Sequence, residues 1–187
     1  MSGELAAPFL AASALLVGAG VPKLGDPMPL VRALRSTGLP AGRGLVRGVA
    51  GVEVALGLWA VARPGTANAA LVCAAYLLFT GFVALALKRG GVLGSCGCFG
   101  KADTPPTRSH LAVTGALAVL AGVVAAAPER AAWTSGGAPA VVGTVALAAL
   151  VTFLAWQALA VLPTVTPAAV RSTGPATSTA TTNRGGG

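Results

Sequence analysis

Two of the three cysteines in this 187-residue chain sit two apart, in the run Gly94-Ser95-Cys96-Gly97-Cys98-Phe99-Gly100. Glycines at 94, 97 and 100 free the backbone to bend sharply. A disulfide requires Cα atoms about 4.4–6.8 Å apart. An i, i+2 pair meets that distance only where the chain bends, and Gly97 permits the bend. So small a ring is strained, hence easily reduced and oxidising towards other thiols. That chemistry suits thiol–disulfide exchange and suits the stapling of a fold poorly. Phe99 is placed to anchor the loop in a membrane interface. Pro105 and Pro106 then bar helix, and Thr107 or Ser109 can cap the helix that follows. A helix N-terminus close to a thiol favours the reactive thiolate. His110, the one histidine, falls in the first turn of that helix, where it either assists the thiols or rests at the interface.

Three readings of Cys96 and Cys98 stay open on residues alone: redox cycling, a tight glycine turn whose thiols are incidental, and a soft two-thiolate Cu(I) site. A structural zinc site calls for four ligands. The chain offers three Cys and one His, so no metal is assigned. Cys73 lies inside an apolar stretch and reads as a small packing residue. Glu53 is the other candidate, because an ionisable side chain in the middle of a membrane span marks function by default. It fits either a protonated hydrogen bond between helices or a contact with a transferred proton or a quinone. Arg47 is six positions away and on another face, so it does not pair with Glu53 within the helix. Lying near the helix end, Arg47 is expected to snorkel.

The elements that must position these groups follow from composition. Asp, Glu, Lys and Arg make up 10% of the chain, where a soluble domain has about 25%. Mean hydropathy is +0.78. These values exclude an ordinary cytosolic enzyme, a disordered tail protein and a disulfide-rich secreted domain. They indicate an integral protein of the lipid bilayer. Residues 5–21, 45–61, 67–87, 111–127 and 141–162 are each apolar and long enough to span. All must be helices, since a lone strand leaves its backbone unpaired in lipid. The expected fold is an all-α membrane bundle, a four-helix core plus one.

Between the spans, residues 29–37 predict a short interfacial helix, and residues 62–66 a tight hairpin. Trp59 and Trp133 are expected as interfacial anchors. Gly44-xxx-Gly48 and Ala118-xxx-Gly122 have the small-residue spacing of packed helices. Glu4 sits where a signal peptide would be basic, so the first span is expected to be retained. The transmembrane unit is expected to cover residues 1–162. Residues 163–187, rich in Thr, Ser, Pro, Ala and Gly, read as a disordered tail.

The net charge of +8 is not a nucleic-acid signal, because aromatics are only 5% and the basic residues follow the spans. With five spans, 11 of the 13 Lys and Arg fall on one side, leaving Arg63 and Arg130 on the other. Basic loops stay in the cytoplasm. The count therefore places Cys96 and Cys98 there, where thiols are kept reduced.

The run Cys96-Gly97-Cys98-Phe99-Gly100, with Pro105, Thr107 and His110 ahead of an apolar helix, resembles the MauE family. Lys23 and the basic loop after the first span, and Glu53 in the second, fit the same pattern. MauE proteins are small multi-pass membrane proteins grouped with the DoxX-like proteins. The resemblance implies a bacterial-type plasma membrane protein in methylamine utilisation. Its role would be maturing a disulfide-rich periplasmic dehydrogenase subunit, with electrons passed from Cys96 and Cys98 to a thioredoxin-like partner. That role asks for a periplasmic loop, against the charge count. A quinone enters only by analogy with other membrane disulfide systems. The alternatives are a non-enzymatic assembly scaffold and a Cu(I)-handling protein.

Overall fold

A computed structural model describes residues 3–36, 38–88, 107–134 and 137–161, with side chains described as far as Leu159. The helices are α1 (Ala6–Gly25), α2 (Met28–Ser36), α3 (Arg43–Ala62), α4 (Thr66–Lys88), α5 (Arg108–Ala126) and α6 (Ala138–Trp156). A 3-10 turn at Pro128–Ala131 follows α5, and a π turn at Gln157–Val161 extends α6. There is no strand among the described residues. Five of the helices are long and apolar enough to cross a membrane, as expected. The short α2 stands at the place foreseen for an interfacial helix. It buries Pro29, Val31 and Ala33 and exposes Arg32 and Arg35.

The end of α1 differs from expectation. The apolar run ends at Val21, yet the helix continues through Pro22 to Gly25. Proline removes one intrahelical donor. The next turn re-forms, with Asp26 N–H donating to the Pro22 carbonyl at 2.9 Å. Lys23 in this turn is held by α3, a tertiary contact that offsets the local cost. At the start of α5, Thr107 is the cap: its hydroxyl accepts from the His110 N–H at 3.3 Å.

The axis of the bundle is α1, 61% of whose most apolar stretch is buried, whereas α6 lies at the periphery with 6%. Between helices already in lipid, close packing replaces the hydrophobic drive. Gly20 and Gly57 supply it across the antiparallel α1–α3 contact. A Cβ on Gly20 would stand 2.8 Å from the Ala50 carbonyl oxygen, and one on Gly57 2.7 Å from that of Ser13. Gly44 and Gly48, expected as a packing pair, face open space instead. The buried stripe of α3 runs through Val46, Ala50, Glu53, Gly57 and Ala60, and the two glycines lie off it. Ala118 and Gly122 do pack: Ala118 is buried, and a Cβ on Gly122 would touch Cys73 Sγ at 3.5 Å.

Hydrogen bonds tie the helices further. Tyr76 Oη donates to the Ala12 carbonyl at 2.6 Å. Thr80 and Thr114 meet at 3.0 Å between α4 and α5. The Trp133 indole N–H donates to the Val61 carbonyl at 3.2 Å. Trp59 is exposed on α3. The described basic residues separate as expected. Lys23, Arg32, Arg35, Arg43, Arg47, Lys88 and Arg108 gather at one end, where Arg47 reaches the Gly25 carbonyl. Arg63 and Arg130 lie at the other, where the Arg130 carbonyl accepts from Leu5 N–H.

Candidate functional site

An ion pair is buried within the basic half of the bundle. Lys23 Nζ on α1 donates to Glu53 Oε1 at 3.0 Å and to Oε2 at 2.8 Å on α3. The side chains are 3% and 5% exposed. The ammonium also stands 5.0 Å from the centre of the Phe79 ring on α4, a cation–π contact. Phe79 in turn meets Tyr76 edge-on at 5.9 Å. Gly20 makes the geometry possible, since a Cβ there would lie 3.2 Å from Glu53 Cβ.

This is the one ion pair among the described residues. Taking two charges out of water is expensive, and an apolar pair of similar volume is often as stable. A charged pair kept within a span therefore marks function more than stability. Glu53 bonds between helices, as one of its two readings had it, but to an ammonium. Lys23 is not legible as this partner from residue spacing, because it lies on another helix, 30 positions away. The available signal was an opposite charge one turn past Gly20 on the preceding span.

His110 occupies a second polar cluster. Ser109 Oγ lies 2.6 Å from Thr107 Oγ1, and Thr107 Oγ1 lies 2.7 Å from His110 Nδ1. The ring also bonds the backbone of Leu159 in the π turn after α6. With Thr107 O–H donating to Nδ1, Nε2–H is the ring's remaining donor, on the side of the Leu159 backbone. His110, 2% exposed, thus sits where the start of α5 meets the turn that ends α6. The structure does not join His110 to Glu53 directly. Tyr76 and Phe79 stand between them around a void of about 10 Å³, which His110 also lines.

Gly94, Cys96, Gly97, Cys98, Phe99 and Gly100 lie outside the described residues. The chain leaves α4 at Lys88 and re-enters at Thr107, both at the end that carries the ion pair. Cys73 is half-buried on α4 and packs against the core. It lies 15 residues before Lys88, about 22 Å along the helix axis, so a resolving role for it is remote from that end. No cluster of three metal-ligating side chains occurs among the described residues.

The family profile described as "Methylamine utilisation protein MauE" matches residues 3–127. That is about two thirds of the chain, from the start of α1 to the end of α5, and it ends before α6. Searches of curated proteins and of solved structures give no significant match. The match contains Lys23, Glu53, Phe79 and His110 on four successive spans, together with the Cys-Gly-Cys segment between the last two. This five-span membrane protein therefore belongs to the MauE family.

Proposed function

We propose that the protein performs thiol–disulfide exchange through Cys96 and Cys98, in methylamine utilisation or the related maturation of exported proteins. The observation that carries this reading is the Cys96-Gly97-Cys98 motif between Lys88 and Thr107 in a MauE-family chain. In each cycle a thiolate of the reduced pair attacks a disulfide of a thioredoxin-like partner and forms a mixed disulfide. The second thiolate then displaces the partner, leaving Cys96 and Cys98 oxidised and the partner carrying two thiols. The reverse sequence returns the electrons, so the direction of flow depends on what stands at either end. The family's association with methylamine supports the client class and rests on its description alone.

Alkylation trapping in growing cells, read by mass spectrometry, tests the proposal. A measurable fraction of Cys96–Cys98 disulfide is expected, and Cys96→Ser and Cys98→Ser variants should leave client disulfides incomplete. A pair that never oxidises, with clients maturing normally in the double variant, would favour a scaffold role instead.

A further inference from the structure

We infer that the corner where α1, α2 and α3 meet binds the headgroup of an anionic phospholipid, with its phosphate between Arg43 and Arg47. The two arginines are four apart at the start of α3, so they stand one above the other on one face of the helix. Both reach towards the junction of α1 and α2. Arg43 Nε donates to Met28 Sδ at 3.2 Å, and an Arg47 Nη donates to the Gly25 carbonyl at 3.4 Å. Arg35 comes to the same corner from α2, where its Nε donates to the Ala41 carbonyl at 3.0 Å, two residues before Arg43.

Each guanidinium is thus held by one neutral acceptor and keeps further N–H groups free, since it carries five. All three side chains are exposed. No carboxylate balances them, because the one ion pair among the described residues is Lys23–Glu53. Asp26, the acid in the turn between α1 and α2, accepts from the Met28 N–H at 3.0 Å. Like charges four apart on a helix repel each other. The positive end of the α3 dipole disfavours Arg43 further, and no acidic residue in the first turn offsets it. A bound anion relieves both costs, and two guanidinium forks suit the oxygens of a phosphate.

The apolar residues beside the arginines select a lipid over a free phosphate or an acidic protein segment. Leu24, Leu39 and Leu45 are exposed, and they flank Gly25, Ala41 and the Arg43–Arg47 pair along the chain. The nine residues of α2 are too few to span. It buries Val31 and Ala33 and leaves Arg32 and Arg35 exposed. Cations interleaved with exposed leucines at the ends of membrane spans fit the boundary between headgroups and acyl chains. A soluble anion makes no use of the leucines, and a zwitterionic headgroup brings its own cation against the arginines. The site draws on no residue of the thiol-exchange reading and stands whether or not Cys96 and Cys98 cycle.

Native mass spectrometry tests the site, with the full-length chain released from detergent micelles that hold equal amounts of phosphatidylglycerol and phosphatidylcholine. The protein should retain phosphatidylglycerol in preference. Arg43→Gln with Arg47→Gln should weaken that retention about tenfold or more, and Arg35→Gln should weaken it less. Arg63→Gln with Arg130→Gln, at the opposite end, should leave it unchanged. All these side chains are exposed, so the fold should persist, checked by circular dichroism. Equal retention of the two lipids by the parent protein would overturn the site without recourse to any variant. Phosphatidylglycerol held as well by the Arg43→Gln, Arg47→Gln variant would overturn it too, and would mean diffuse attraction to the whole basic end. Loss of the lipid to added inorganic phosphate or to a glutamate-rich peptide would overturn the lipid assignment and leave a site for a soluble anion or an acidic protein segment.

Discussion

At the scale of single residues the Lys23–Glu53 pair makes the sharpest claim. Removing one member leaves the other charged, buried and unpaired, a change that costs about 3–5 kcal/mol in known buried pairs. Lys23→Met should therefore destabilise strongly, and Glu53→Leu likewise. Replacing both with Met removes the unpaired charge and should recover most of the loss. Denaturant unfolding in mixed micelles measures the three variants, and a double variant as unstable as the worse single would show that the pair is needed for the fold itself. Sequence alone brought Glu53 forward, because a carboxylate amid apolar residues stands out. It did not bring Lys23 forward as the partner, because Lys23 lies beyond the apolar run, after a proline that ordinarily ends a helix. His110 was visible as the only imidazole, but its place against the end of α6 was not. One of its partners is the Leu159 backbone, and a backbone group 49 positions away has no signature in residue type.

At the scale of elements, two glycines outside the familiar spacing set the α1–α3 contact. Gly57→Leu or Gly20→Leu would drive a side chain into the backbone of the facing helix, at a cost of about 1–3 kcal/mol or more. Gly44→Leu and Gly48→Leu meet open space and should change stability within about 0.5 kcal/mol. Thermal unfolding in detergent orders the four variants, and equal damage from Gly48→Leu would show that this face is covered in the membrane. The number and approximate positions of the spans were legible because run length and polarity in lipid are nearly decisive. The packing face was legible on α5, where Ala118 and Gly122 do pack, but not on α3, because a four-residue spacing says which residues share a face and nothing about which face meets a neighbour. Gly20 and Gly57 stand alone on separate helices, and only the fold shows that they cover the same contact.

At the scale of the whole molecule the unequal ends of the bundle bear on the thiol chemistry. Among the described residues, seven Lys and Arg lie at the end where α4 and α5 open to the Cys-Gly-Cys segment, and two lie at the other. Lys and Arg in short loops hold their side of the membrane in the cytoplasm. A membrane-impermeant maleimide should then leave Cys96 and Cys98 unmodified in intact cells and label them in inverted vesicles, with Cys73 slow in both because it is packed among α4 and α5 side chains. That outcome makes the thioredoxin-like partner a cytoplasmic one, and any effect on exported proteins passes through the membrane. Labelling in intact cells would reverse the assignment and present the pair directly to exported clients.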